Sequence, residues 1–141
     1  VRLIAGGLLV LAAGCGAAPE HAAEPELHRE RLALGASFVG GRATGLGELL
    51  HEDLIVQPPA PDTPLRGVAA AEYLKRLARE SQLTRSELLP ASLTREGGFL
   101  LERGGWYLES GDRTFASRYL IRWRESPAGW KVVLWRWTLF R

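Results

Sequence analysis

A chain of 141 residues can bury one hydrophobic core without help from disulfides or metals, and it is too short for two domains that are each stable. Its 46% hydrophobic and 24% charged residues exclude a largely disordered polypeptide, and 18 basic against 16 acidic side chains, a formal charge of +2, is too even a balance to argue for nucleic acid. A single cysteine rules out an internal disulfide, and His21, His28 and His51 are scattered, so no metal or cofactor is expected.

From Leu3 to Gly14 the chain is an unbroken run of apolar and small residues behind one positive charge, Arg2, which is the layout of a secretory signal. The run is shorter than the ~20 residues a transmembrane helix needs. It ends in Leu11-Ala12-Ala13-Gly14-Cys15, which resembles the lipobox of bacterial lipoproteins, with Ala12 where leucine is commoner. That resemblance implies cleavage after Gly14 and lipidation of Cys15. Gly16-Ala17, with no aspartate behind the cysteine, implies transfer to the periplasmic face of the outer membrane. The organisation expected is a signal peptide over 1–14, a lipidated cysteine and flexible tether over 15–25, rich in alanine with Pro19 and Pro25, and one domain over 26–141.

Within the domain, a first helix is expected from about Glu26 to Val39, with Leu32, Ala36 and Val39 on one face and Leu27, Leu34 and Phe38 on the next; Gly40-Gly41 stops it. A short second helix is expected through Leu46–Leu50, then a β run at Leu54–Val56 closed by Pro58-Pro59. Gly67 leads into a third helix whose buried stripe is Ala70, Leu74, Leu77 and Ala78. Beyond Ser81 the pattern alternates in strands: Leu83–Leu93, Phe99–Arg103, Trp106–Glu109, Thr114–Arg124 and Trp130–Phe140. In the fourth of these, Phe115, Tyr119, Ile121 and Trp123 share the face expected to be buried. In the last, strict alternation puts Trp130, Val132, Leu134 and Arg136 on one face and Val133, Trp135, Trp137 and Leu139 on the other.

Helices followed by an antiparallel meander describe an α+β domain. The stretch from Gly41 through His51-Glu52-Asp53-Leu54 to Pro59, the segment Arg66-Gly67-Val68-Ala69-Ala70-Ala71-Glu72-Tyr73-Leu74 and the closing Gly129-Trp130-Lys131-Val132-Val133 together resemble the nuclear transport factor 2-like superfamily, in its SnoaL-like branch. One departure is Arg42, where these sequences often carry aspartate. The resemblance implies about three helices on a strongly curved, mostly antiparallel sheet, a cone enclosing a pocket. Some members are enzymes and others are binding domains, so fold does not settle function.

By face, the pocket candidates are Tyr73, Tyr107, Phe115, Tyr119, Trp123 and Arg136. An enzyme of the isomerase, dehydratase or hydrolase kind would need Asp53 or His51 as base beside Tyr119 or Tyr107. The strands expected to line the cone, Thr114–Arg124 and Trp130–Phe140, contain no aspartate, and a polar residue or histidine at a helix end has a simple structural role. The sequence therefore favours a non-catalytic envelope lipoprotein that binds a small, mainly apolar ligand or a protein partner, with the enzyme as the alternative. The expected partners are a membrane, through the lipid on Cys15, and a second copy, through an outer sheet face bearing Trp135, Trp137 and Leu139. Nucleic acid is not among them.

Overall fold

The computed structural model describes residues 24, 25 and 27–141. The expected signal segment, Cys15 and nearly all of the tether lie outside these residues. Residues 24 and 25 are helical, and residues 27–36 are helical (α1). The apolar stripe of α1 is Leu27, Leu34 and Phe38, all buried, with Arg31 buried in the same line, whereas Leu32 faces solvent. Gly40 and Gly41 follow with positive φ, and the backbone of Gly40 bonds the carbonyl of Leu83.

The expected second helix is a single 3-10 turn, Leu46–Leu49, which buries Leu46 and Leu49 and passes straight into β1, Leu50–Gln57. His51 and Asp53 therefore stand on a strand and not at a helix end. A two-residue strand β2, Leu65–Arg66, precedes helix α2, Gly67–Glu80, which buries Ala70, Leu74 and Ala78 as its periodicity predicts. Four long strands complete the domain: β3 Arg85–Glu96, β4 Phe99–Ser110, β5 Arg113–Ser126 and β6 Gly129–Trp137. They form one six-stranded sheet in the order β2-β1-β6-β5-β4-β3. The sheet is mixed, since β1 runs parallel to β6 while the other neighbours are antiparallel. The architecture is thus α+β with two α-helices, not three, among the described residues.

Two details of the sheet differ from simple alternation and have physical causes. Gly104-Gly105, the gap between the expected strands Phe99–Arg103 and Trp106–Glu109, lies inside the continuous strand β4, paired with Pro90 and Leu89 of β3 and with Tyr119 and Arg118 of β5. Glycine is needed at 104 because a Cβ there would run into the carbonyl of Leu89 and come within 2.8 Å of the Tyr119 hydroxyl. On β6, Leu134 pairs with Arg122 and Val132 with Trp123, so Val133 is an extra residue, a β-bulge. One inserted residue reverses the phase of everything after it. Trp130, Val132, Trp135 and Trp137 consequently all point towards the helices, and Leu134 and Arg136 point away.

The expectation that Trp135 and Trp137 lie on an exposed outer face is therefore corrected. They are 0% and 5% exposed, and of the three residues proposed for that face Leu139 alone is exposed. Their rings belong to an aromatic cluster that spans the space between helices and sheet: Trp106 lies 4.9 Å from Trp135, 5.7 Å from Trp137 and 5.2 Å from Phe140, and Phe38 lies 5.3 Å from Trp106 and 5.6 Å from Trp135. Most of these contacts are edge-on or tilted, the arrangements that aromatic quadrupoles favour.

Candidate functional site

Three arrangements of polar groups compete for a functional role, and the first is buried between α1 and the sheet. Glu102, on the inward face of β4, is fully buried, and Arg31 approaches it from α1 with Nη2 at 2.7 Å and Nε at 3.0 Å from one carboxylate oxygen. Nε also lies 3.1 Å from the other oxygen, and Tyr119 donates its hydroxyl to that oxygen at 2.5 Å. Tyr119 pairs across β5 with Gly104, and the space left by that glycine lets its ring reach along β4 to Glu102. Burial opposes the charge of Arg31, but the hydrogen bonds and charge of Glu102 outweigh it and hold the guanidinium above its ordinary value. Burial, followed by the Glu102 charge, pushes the Tyr119 phenol far above the usual tyrosine range. A carboxylate already bonded on both oxygens and a tyrosine that resists ionisation make a poor acid–base pair and a good staple between helix and sheet.

That shift makes the stability alkaline-sensitive. Tyr119 keeps its proton when folded and loses it near pH 10 when unfolded, so above about pH 10 the unfolded state releases a proton that the native state retains. Its contribution to stability is complete below pH 10 and declines by about 1.4 kcal/mol per pH unit above it. Urea denaturation between pH 8 and 11.5 should show a steeper alkaline loss in the wild type than in Tyr119→Phe; equal slopes would mean that Tyr119 is not held neutral by its surroundings.

The second arrangement holds the other catalytic candidates. His51 accepts a hydrogen bond from the backbone N–H of Asp53 through Nδ1 at 3.0 Å, and the Asp53 carboxylate, 75% exposed, lies 3.8 Å from the same nitrogen. The pair is local to β1, whereas the Tyr119 hydroxyl is committed to Glu102, so the acid–base constellation of the alternative reading is not assembled. Tyr73 on α2 packs 6.4 Å from Trp137 and gives its hydroxyl to Asp62 at 3.3 Å; burial first and then Asp62 raise its pKa. Phe115 is half-buried beneath the guanidinium of Arg113, and Trp123 is fully buried in the core. Tyr107 and Arg136 face outward on β4 and β6. Of the pocket candidates, Tyr119 and Arg136 border one groove, and the others are divided between the core and the opposite face of the sheet. Among the described residues no three His, Cys, Asp or Glu side chains gather as a metal ion requires, and no helix is long and apolar enough to cross a membrane.

The third arrangement is a groove of about 530 Å³ on the sheet face turned away from the helices, lined by Arg103, Gly105, Arg118, Leu120, Arg136 and Thr138 among others. Arg103 and Arg136 stand directly across from Leu120, one on either side. Sequence reasoning found Arg136 but grouped it with Trp130 and missed Arg103 and Arg118. The signal available was the outward phase of β4 and β5, in which Arg103, Arg118 and Arg122 alternate with buried residues.

No protein-family model matches the chain, and no curated protein matches it either. Solved structures do. A nuclear transport factor 2-like protein with a cystatin-like fold from Novosphingobium aromaticivorans superposes with a TM-score of 0.64 at 21% identity, covering 99% of this chain and 89% of its own. Nuclear transport factor 2-like proteins of unknown function from Shewanella oneidensis and Pseudomonas putida give TM-scores of 0.66 and 0.62 at 11% and 16% identity, covering 82% and 86% of this chain and 98% and 86% of theirs. At such identities the likeness speaks for the fold alone, and the fold is nuclear transport factor 2-like.

Proposed function

We propose that this chain is a non-catalytic binding domain that works from the outer face of its sheet and is tethered to the bacterial envelope through a lipidated Cys15. The observation that carries this reading is the occupied interior. The space in which a small apolar ligand would sit is taken by Phe38, Trp106, Trp135, Trp137 and Phe140, while the outer face retains an open groove. The buried Glu102 points the same way, since its oxygens serve Arg31 and Tyr119 and offer nothing to a substrate. The anchor rests on the lipobox-like Leu11–Cys15, which lies outside the described residues.

Two measurements test the reading. Cys15→Ser is expected to abolish acyl labelling and membrane retention and to leave the domain folded by circular dichroism; unchanged fractionation with the membrane would refute the anchor. Incubating the chain with a metabolite extract of its own cells should leave the extract unconsumed. Turnover that disappears in Asp53→Asn or His51→Gln would replace the binding reading with the enzymatic one.

A further inference from the structure

Positive charge collects on the outer sheet face where no described residue neutralises it. Arg103 on β4 and Arg136 on β6 flank Leu120 in direct cross-strand register, so their Cα atoms are about 10 Å apart. Arg118 stands two residues along β5 on the same face. Among the described residues none of these three guanidinium groups has a hydrogen-bond or ion-pair partner. Their neighbours behave differently: Arg85 is held by Glu87 and Glu109, Arg122 lies 3.9 Å from Glu96, and Arg31 is bound to Glu102. Among the described residues no carboxylate lines the groove between the three.

The groove does not end at the arginines. Across Gly105, Arg118 and Thr138 it runs into a second hollow of about 510 Å³, whose walls include Tyr107 and Leu139, with Ser117 and Arg141 at its polar side. These are large apolar side chains left 48% and 64% exposed. Leu139 is placed there by the tail beyond β6, which keeps pairing with β5: Thr138 bonds Arg118 and Arg141 bonds Ala116, so an extra residue is accommodated between them. Where the two hollows meet, the Tyr107 ring lies over Gly105, 3.0 Å from where a Cβ there would stand, so the glycine makes room for the ring, and Arg118 and Thr138 border both sides.

We infer that this continuous groove binds a free, single-chain amphiphile with one anionic head, a carboxylate or phosphate, and an unbranched apolar body. The head sits among Arg103, Arg118 and Arg136, where planar guanidinium groups suit the geometry of either anion. The body lies along the Tyr107 ring, which covers Gly105, towards Leu139. The inference rests on the outer-face binding reading above. A second copy centred on this groove is disfavoured, because a two-fold axis through Leu120 would set the three arginines against their symmetry mates in a desolvated interface. An inorganic anion would leave Tyr107 and Leu139 without purpose. A bilayer would require a flat or protruding basic surface, and this one is a hollow.

The test uses the full chain carrying Cys15→Ser, so that no acyl chain of its own competes for the groove, with calorimetry and native mass spectrometry as readouts. Laurate and dodecyl phosphate should each bind one per chain, and dodecanol and inorganic phosphate should each bind at least about tenfold more weakly. Shortening the alkyl chain by two methylenes should weaken binding several-fold. The double variant Arg103→Gln/Arg136→Gln keeps the stems that cover Leu120 and should lose at least about tenfold in affinity for dodecyl phosphate with an unchanged melting temperature. Leu139→Ser should weaken dodecyl phosphate and leave inorganic phosphate unaffected. Dodecanol binding as tightly as laurate, an arginine pair without effect, or tighter binding to phosphatidylglycerol vesicles than to dodecyl phosphate would each overturn the inference. If no amphiphile binds but the chain recovers a protein partner whose binding the arginine pair weakens, the inference fails and the outer-face reading survives. Asp53-dependent turnover would remove the reading beneath it.

Discussion

Arg31→Met is expected to destabilise the domain by about 3–5 kcal/mol, because it leaves the Glu102 carboxylate buried without its cation. For a domain of this size that corresponds to a fall in melting temperature of roughly 10–30 °C. The methionine fills much of the volume of the arginine stem, so the loss reports the charge and hydrogen bonds more than packing. Tyr119 remains as a donor but supplies one neutral hydrogen bond where Arg31 supplied charge and two N–H groups. The double replacement Arg31→Met/Glu102→Leu removes both buried charges together and should recover most of the loss, since a buried ion pair exchanged for apolar side chains is often neutral or better. Thermal melts of the three proteins decide the matter. If the single variant costs less than about 1 kcal/mol, Glu102 reaches water and the staple is not the dry site its burial implies. If the double variant is as unstable as the single, the damage is steric.

The staple also shows why its two halves were missed in the sequence. Arg31 falls between Leu27 and Leu34 on the buried stripe of α1, and Glu102 falls between Leu100 and Gly104 on the inward face of β4, so each position was legible as buried. Nothing local says that the two meet, because they are 71 residues apart and the pairing is a product of how α1 crosses the sheet. Periodicity assigned the stripe of α2 and most of the strands, since both depend on side-chain spacing along a single element. It failed on β6, where one bulge at Val133 inverted the phase and sent Trp135 and Trp137 inward. It failed again at Gly104-Gly105, where glycine marks a close approach of Leu89 and Tyr119 and not a turn. The 3-10 turn at Leu46–Leu49 follows from length: four residues close one turn, and Leu50 is already extended. The outer groove was half legible, because the outward phase of β5 is written in Arg118, Leu120 and Arg122, but the conjunction of Arg103 with Arg136 across Leu120 depends on register.

The two faces of the sheet therefore divide the chemistry. On the inner face Arg31, Glu102 and Tyr119 satisfy one another and aromatic rings occupy the remaining space; on the outer face Arg103, Arg118 and Arg136 have no partner among the described residues, and Tyr107 and Leu139 are exposed. Selection for an internal ligand site would leave the inverse pattern, an interior with convergent polar groups and an exterior whose charges are paired. The arrangement of charge and volume, more than the fold, is what argues for binding from outside.

Trp135→Ala tests the occupied interior directly and should cost about 3–5 kcal/mol. The ring is fully buried and touches Phe38, Trp106 and Trp137, so its removal leaves a hole on the order of 150 Å³ lined by apolar rings, of the size that stays dry and takes up small aromatics. Its indole N–H has no hydrogen-bond partner among the described residues, so removing that group returns part of the loss and places the result towards the lower end of the range. Added indole should then bind the variant and raise its melting temperature, because a ligand that binds only the folded state stabilises it in proportion to the logarithm of its concentration over Kd. The wild type should show no such shift, its own tryptophan already holding the place. A wild-type shift as large as that of the variant would show that the interior has room for a ligand, and the case for an outer-face binding domain would lose its main support.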